Sequence, residues 1–159
     1  MMSLQQHSQR GFTLVEILVT VVLISVGLLG VAALQLTTLR GNQEAYVRSQ
    51  ASLLANDILD RIRANSTNFR SAGNPYQVAL NGTGDASTAA GRDLMDWQQA
   101  INRTLPGGDA IAGGRIDRTE DPATRRFIVT VTIQWSERIE GSAVDPEGGV
   151  RFFRTRSEI

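Results

Sequence analysis

Residues 10–34 read RGFTLVEILVTVVLISVGLLGVAAL, an apolar run that follows an Arg-Gly pair and contains one charged side chain, Glu16. A helix of about 20 apolar residues, at a rise of 1.5 Å per residue, covers the hydrocarbon core of a bilayer. The run therefore predicts a membrane-spanning helix. Because an ionisable group near the centre of such a helix costs roughly 2.5 to 3.5 kcal/mol on insertion scales, we expect Glu16 to have a function and a partner.

Ordinary export signals explain this N-terminal segment poorly. A secretory signal peptide has a short apolar region followed by a cleavage site of small residues. Gly30-Val31-Ala32-Ala33 matches such a site only loosely, and it lies at the end of a run that is too long for the apolar region of a typical signal peptide. An uncleaved signal anchor remains the plainer alternative, but it gives no reason for the order of residues around Gly11.

That order is a basic residue, Gly11, Phe12, then Glu16 four residues after Phe12, and then an unbroken apolar helix. It resembles the class III signal of type IV prepilins. In that family a dedicated prepilin peptidase cuts after Gly and methylates the new amino-terminal Phe. The resemblance implies cleavage between Gly11 and Phe12 and N-methylation of Phe12.

The resemblance also implies a role for Glu16 in assembly. In a filament its carboxylate can accept the positive amino terminus of Phe12 on a neighbouring subunit, and exclusion of water strengthens that attraction. A buried charge whose partner is missing is costly, so the pair favours a filament in register. The alternative is an acidic side chain that snorkels to the nearby cytoplasmic interface.

The predicted fold is α+β, a type IV pilin-like lollipop. A long N-terminal helix, with a transmembrane half and an amphipathic half, would pack on a small antiparallel β-sheet head. The expected segments are a leader peptide (1–11), a transmembrane or filament-core helix (12–35), the amphipathic half of the long helix (36–66) and a globular α+β head (67–159).

The amphipathic half carries an apolar stripe at helical spacings of three and four residues. We expect this stripe to face the sheet, and the charged residues between its members to face solvent or to pair locally. The stripe is Ala51, Leu54, Ala55, Ile58 and Ile62, and the charged set is Arg48, Asp57, Asp60, Arg61 and Arg63. The turn-like tetrapeptide 65–68 predicts the end of the helix between Ala64 and Asn68.

The head should contain one further helix. Residues 71–91 are rich in Gly, Ser, Thr, Ala and Asn, which predicts an exposed loop. A short helix is expected from Asp93 to Leu105, with Asp93 as its cap and with Leu94, Trp97 and Ile101 on one face. Leu105-Pro106-Gly107-Gly108 would end it.

Strand patterns come last in the chain. Residues 127–135 alternate, with Phe127, Val129, Val131, Ile133 and Trp135 on one face. A second strand is predicted over 150–155, after a turn at Pro146-Glu147-Gly148-Gly149. The segment 114–117 is a candidate for a third strand.

Composition excludes several classes of function. The chain has 16 cationic and 16 acidic residues and no net charge, so it lacks the cationic surface that nucleic-acid binding requires. There is no cysteine, and the only histidine is His7, in the predicted leader, so neither a Cys nucleophile nor a His-dependent triad can form in the processed chain. We expect no catalytic residues, no cofactor and no metal. Calcium is conceivable at Asp117, Glu120 and Asp121, but these residues lack the order of an EF-hand loop and are expected to form a solvated turn.

The end of the long helix resembles a narrower group. This part of the chain is similar to the PilV group of minor pilins. The resemblance is carried by the segment LLANDILDRIRAN (53–65), followed by Asp96-Trp97, by 105–108 and by the strand 131–135. Many major pilins carry a disulfide near their carboxyl terminus, and its absence here argues against the major-subunit role. The resemblance implies a minor pilin of the type IV pilus that acts in pilus assembly, in priming or at the tip, and so in twitching motility or cell adhesion.

The same resemblance implies partners and a location. The expected partners are the prepilin peptidase, other minor pilins, the major pilin, the inner-membrane assembly platform and membrane lipid before assembly. The subunit would be a single-pass protein of the inner membrane with its head in the periplasm, and would later lie in the pilus at the cell surface. Two alternatives remain open, a minor pseudopilin of type II secretion and a tip adhesin, because related pseudopilins share the N-terminal signature.

Overall fold

The computed structural model describes residues 12–136 and 149–159. It has four helices and three strands in these ranges, which confirms the α+β class. The helices are α1 (Leu14–Ala64), α2 (Ser66–Arg70), α3 (Ala89–Thr104) and α4 (Gly108–Ile111); the strands are β1 (Gly113–Glu120), β2 (Phe127–Ser136) and β3 (Val150–Glu158). The chain divides into two compact units, Met1–Glu44 and Ala45–Ile159, which are described separately below.

The described part of the first unit is helical from Leu14 onward, and its side chains are exposed throughout. Four hydroxyl groups in and just after the apolar run donate hydrogen bonds to the backbone carbonyl four residues earlier. They belong to Thr20, Ser25, Thr37 and Thr38, with oxygen–oxygen distances of 2.6, 2.7, 3.1 and 3.0 Å. Because an unbonded hydroxyl is costly in an apolar medium, these bonds make the polar residues compatible with an apolar surrounding.

The second unit has its core between the later turns of α1, helix α3 and the sheet. The predicted stripe on α1 is confirmed for Ala51, Ala55, Ile58 and Ile62, which are buried. The stripe also includes Leu59, which is buried, whereas its predicted member Leu54 is only half-buried. Leu59 is covered because α1 has a neighbour on each of two sides. The Trp97 indole of α3 donates a hydrogen bond to the carbonyl of Leu54, and the Arg63 guanidinium donates one to the Ser157 hydroxyl of β3.

The sheet is antiparallel, in the order β1-β2-β3. Val129, Val131, Ile133 and Trp135 of β2 are buried, as the alternation predicts, whereas Phe127 at the start of the strand is only half-buried. The third strand is confirmed and is longer than the segment 114–117, and β3 extends three residues beyond 155. Gly114 lies against Trp97, since a Cβ built there would be 2.2 Å from the indole ring. The predicted turn before β3 falls, for Pro146, Glu147 and Gly148, outside the described residues.

The prediction for the start of α3 was wrong. The helix begins at Ala89 with Thr88 as its cap, whose hydroxyl accepts a hydrogen bond from the Gly91 amide at 2.9 Å. The end of the segment predicted as an exposed loop is therefore helical, and Tyr76 and Val78 within that segment are buried. Asp93 is not a cap, because its carboxylate instead accepts the hydroxyl of Tyr76 at 2.6 Å.

The junction after α1 also differs from its prediction. Helix α1 ends at Ala64, within the expected range, but the turn-like residues that follow belong mostly to the short helix α2. This helix buries Phe69 in the core. The guanidinium of Arg118 on β1 lies 4.7 Å from the centre of the Phe127 ring and 5.6 Å from that of Phe69, and it donates to the carbonyls of Phe69 and Ser71. This one side chain therefore fixes α2 against the sheet.

Candidate processing and assembly site at the N-terminus

Of the two residues at the predicted cleavage site, the structure describes Phe12 but not Gly11. Phe12 lies two positions before the first residue of α1, is not helical, and leaves 79% of its surface exposed. An exposed, non-helical residue is typical of positions that a peptidase reaches.

Thr13 caps α1, a role that the sequence reasoning missed. Its carbonyl accepts the amides of Glu16 and Ile17 at 3.1 and 3.3 Å, and its hydroxyl lies 3.3 Å from the Glu16 amide. A hydroxyl residue followed three positions later by Glu is the signature of a capping box, in which side chains satisfy amides of the first helical turn. The signal was therefore present as Thr13-Leu14-Val15-Glu16.

Glu16 lies in the first turn of α1 rather than near the centre of the helix. The first turn carries the positive end of the helix dipole, which favours an acidic side chain there. Within the described residues the Glu16 carboxylate has no hydrogen bond or ion pair, and only its backbone groups are bonded. The structure does not bring it together with Phe12 of the same chain, so the carboxylate is free to bind a cation from elsewhere.

The surface around Glu16 is strongly apolar. Among the described residues, one helix, Leu14–Ala64, is long and apolar enough to cross a membrane, and the apolar part lies near its N-terminus. Its exposed large side chains include Val15, Ile17, Leu18, Val19, Val22, Leu23, Ile24, Leu28, Leu29, Val31 and Leu34. A continuous apolar surface of this length is unsuited to water and needs lipid or protein around it.

The carboxylates considered for calcium are each engaged within the chain. Asp117 accepts two hydrogen bonds from Arg115, at 2.7 and 2.9 Å, and Glu120 lies 3.6 Å from Arg125. Asp121 accepts the Ala123 amide at 2.9 Å and the Thr124 hydroxyl at 2.8 Å, and these bonds hold its pKa below the ordinary value. In the described ranges no three His, Asp or Glu side chains are grouped so that they could hold a metal ion.

A partly buried polar network joins the end of α1 to α3 in the second unit. The Tyr76 hydroxyl donates a hydrogen bond to the Asp93 carboxylate and accepts one from the side-chain amide of Asn65 at 3.1 Å. Burial, together with the bond to Asp93, raises the pKa of Tyr76 to about 12. The network ties the loop before α3 to α3 itself and to the residue that follows α1.

Arg61 pairs locally, as predicted, and it also belongs to the same network. Its Nε donates to Asp57 one turn earlier at 3.1 Å, and its Nη1 reaches Asp93 at 3.5 Å and Asp96 at 3.9 Å, both on α3. The extra pairing arises because α3 packs against α1, through Trp97 on Leu54, and places Asp93 and Asp96 beside Arg61. Asp60 and Arg63 do pair locally, at 2.6 Å.

Two family models match adjacent parts of the chain. The prokaryotic N-terminal methylation motif matches residues 6–32, and the family described as type IV pilin Tt1218 matches residues 33–91. The two ranges together cover more than half of the chain. No curated protein and no solved structure matches it.

Proposed function

The chain belongs to the type IV pilin family, and from that premise we propose that it is a minor pilin, a structural subunit of the type IV pilus. Members of this family are structural subunits, and the methylation motif implies processing by prepilin peptidase and assembly with other pilins. The observation that carries the proposal is an apolar, exposed N-terminal helix that holds one unpartnered carboxylate in its first turn.

The processing step in this proposal is cleavage of the bond between Gly11 and Phe12. The exposure of Phe12 and its position before the first turn of α1 support it, since a peptidase needs an accessible and extended segment. Methylation of the new amino group of Phe12 leaves it a cation, so the processed chain begins with a positive charge beside an apolar side chain.

The assembly step in this proposal uses Glu16. In the bilayer its carboxylate is favoured by the helix dipole but has no cationic partner among the described residues. In a filament the methylated amino terminus of a neighbouring subunit's Phe12 would supply one. Because both charges then lie in an apolar, water-poor surrounding, the attraction is much stronger than in water, and an offset subunit would leave a charge unpaired.

We propose the minor rather than the major role because the chain has no cysteine and its helix-end segment 53–65 resembles the PilV group. On this proposal the subunit is stored as a single-pass inner-membrane protein with its head in the periplasm. It then enters the pilus at low copy, in the priming complex or at the tip. Its partners are the other minor pilins, the major pilin and the assembly platform in the inner membrane. The segments 1–11, 12–35, 36–66 and 67–159 are proposed as leader, spanning helix, amphipathic half and head.

The test is an in-frame deletion of the gene, complemented by the wild-type chain. We expect the deletion to abolish or sharply reduce surface pili and twitching motility, while secretion of exoproteins continues. Loss of exoprotein secretion with pili intact would instead assign the chain to type II secretion. Normal pili and twitching with lost attachment would make it a tip adhesin.

A further inference from the structure

The two edges of the sheet differ in how they are covered. On β1 the outward groups of Ile116 exchange two hydrogen bonds with Val78, at 3.2 and 3.0 Å, and the outward amide of Gly114 donates to the Gln98 side chain at 3.1 Å. The first half of this edge is thus occupied by the chain's own loop and by α3. The other edge is β3, which among the described residues pairs with β2 alone.

The register identifies which backbone groups of β3 point away from the sheet. The Ile159 amide donates to the Phe127 carbonyl at 3.0 Å, so this position is a hydrogen-bonded pair. In an antiparallel ladder hydrogen-bonded and non-bonded pairs alternate. The odd-numbered residues of β3 therefore bond to β2, and the backbone groups of the even-numbered residues, among them Phe152, Arg154 and Arg156, point to the open edge. Glu158, at the end of this set, is paired with Arg126 at 2.6 Å.

The side chains at these three positions give the edge a specific chemistry. Alternate residues share a face, so an exposed aromatic ring and two exposed guanidinium groups lie in a row. Phe152 leaves 68% of its surface exposed. Arg154 donates only to the Thr132 hydroxyl at 3.3 Å, and Arg156 has no partner among the residues that the structure describes.

A partner must complement both the backbone and the charge of this row. An added antiparallel strand would place a residue opposite each of the three positions, and opposite charges in such pairs are favourable whereas like charges are not. A second copy of β3 centred on Arg154 would set Arg154 against Arg154, which disfavours that register of self-pairing. The row instead fits a strand in which two acidic residues, two positions apart, are followed by an apolar residue two positions further on.

We propose that β3 is a docking edge that takes an extended, acidic segment of a neighbouring pilus subunit as a fourth strand of the sheet; this rests on the pilus assignment above. Edge strands with free backbone groups are templates for strand addition, in which backbone bonds give affinity and alternate side chains give specificity. The occupied β1 edge leaves β3 as the place for such an addition within the described sheet.

The test uses the full-length chain in cells, with the photo-crosslinking residue benzoylphenylalanine at Phe152 and, as control, at Thr119 on the β1 edge. Adducts are identified by mass spectrometry in the membrane fraction. We expect Phe152 to crosslink to another pilus subunit within a segment that has the acidic spacing described, and Thr119 to give little of that adduct. Adducts only to a second copy of this chain, only to helical segments, or none from Phe152 would overturn the proposal.

Two sets of variants check charge and backbone separately. Arg154→Glu combined with Arg156→Glu should lower the adduct yield roughly tenfold, because two cross-strand attractions become repulsions. Arg103→Glu combined with Arg125→Glu changes the net charge equally, on exposed residues away from β3, and should leave the yield unchanged. Equal yields from the two double variants would contradict the proposal. Arg156→Pro removes one outward amide, which proline permits on an edge strand, and should also lower the yield while the head stays folded.

The readout separates this inference from the pilus assignment. Crosslinking in the membrane fraction requires only that the two proteins meet there, whereas the assignment is tested by pili and twitching in the deletion strain. If pili persist without the chain while the Phe152 adduct to an acidic strand forms, the assignment fails and the docking edge stands. If pili are lost but no adduct forms, the assignment stands and the docking edge fails.

Discussion

Single residues at the start of α1 carry the proposed chemistry, and the structure changes how their energetics are understood. Glu16 was expected to be a costly charge a few residues into a spanning segment, near the cytoplasmic interface. Its place in the first turn, where Thr13 caps the helix and the dipole favours an anion, lowers that cost. On the proposed function, the carboxylate would therefore be tolerated in the membrane before it meets a cationic partner.

Replacing Glu16 by Gln or by Ala tests this function. Both variants should remain stable and be cleaved normally, yet enter fibres in greatly reduced amounts, because neither can pair with an incoming amino terminus. The measurement is an immunoblot of sheared pili normalised to the membrane pool. Thr20→Ala, one turn later, is the control and should enter normally; wild-type amounts of both Glu16 variants would show that the charge is incidental.

Gly11→Glu tests the processing site. A peptidase that accepts Gly before the cut has little room for a larger, charged side chain, so the precursor should accumulate at full length in the membrane. Gln9→Glu adds the same charge two residues earlier and should still be cleaved. Intact-mass analysis distinguishes the two forms, and a product from Gly11→Glu that begins at Phe12 would refute the assignment.

Tyr76 makes the stability of the head depend on alkaline pH. Its pKa is raised to about 12, from 10.0 for a free tyrosine, by burial and by the bond to Asp93. The folded state therefore keeps this proton more tightly than the unfolded state. Its contribution to stability is complete below pH 10 and is lost progressively between about pH 10 and 12.

Urea unfolding of the head between pH 8 and 11.5 measures this contribution. The wild type should lose stability steeply above pH 10, whereas Tyr76→Phe should start lower, because it lacks the hydroxyl bonds, and should fall less steeply. Tyr46→Phe is the matched control on an exposed tyrosine. Parallel curves for wild type and Tyr76→Phe would mean that another group governs the alkaline loss.

Among the elements, the buried face of α1 sets the stability of the head. Ile58 is fully buried in the core beside Ala55 and Ile62. Ile58→Asp would bury an unpaired charge at a cost of several kcal/mol, which is a large share of the roughly 5 to 15 kcal/mol that stabilises a small domain. We expect that variant to unfold or to melt at a sharply lower temperature.

Leu53→Asp is the control for this change, since it makes a similar apolar-to-acidic substitution on the same helix at a side chain that is 60% exposed. It should melt close to the wild type. The melting temperatures of both variants are measured by circular dichroism. Equal melting curves would mean that this face of α1 is not packed as described. Arg61→Gln is a poor control, because Arg61 also pairs with aspartates of α3.

Periodicity predicted the elements better than it predicted their ends. The strand alternation and the α1 stripe follow from one buried face, so they could be read from residue spacing alone. The start of α3 was missed because Asp93 and Thr88 are both good cap residues, and only the tertiary bond to Tyr76 decides between them. Leu59 was missed because two neighbours, rather than one, cover α1.

At the scale of the whole molecule, the described hydrophobic core lies entirely in the unit Ala45–Ile159, beginning at Ala51. A fragment from Leu36 onward therefore keeps the core and loses the apolar run. It should express as a soluble monomer without added metal or disulfides, with cooperative unfolding. Size-exclusion chromatography with light scattering checks the state, and an aggregated or molten fragment would show that the head needs the removed segment.

Sequence patterns located the candidate site more completely than they located the docking edge. Gly11, Phe12 and Glu16 lie close together in the chain, so their order could be compared directly with a known signal. Identifying the docking edge requires two facts: which strand is central, and whether odd- or even-numbered residues of β3 bond to β2. Both facts come only from the pairing of β2 with β1 and β3. The residues Phe152, Arg154 and Arg156 had no distinguishing pattern before that register was known.

The hydroxyl groups that bond back along α1 bear on how a subunit changes its surroundings. Thr20, Ser25, Thr37 and Thr38 find their acceptors within the same helix, so moving the helix from one apolar medium to another breaks none of these bonds. The exchange of lipid for protein neighbours is then nearly neutral for the helix as a whole. On the proposed function, the pairing of Glu16 with a neighbour's amino terminus would then be the interaction that favours the filament over the bilayer.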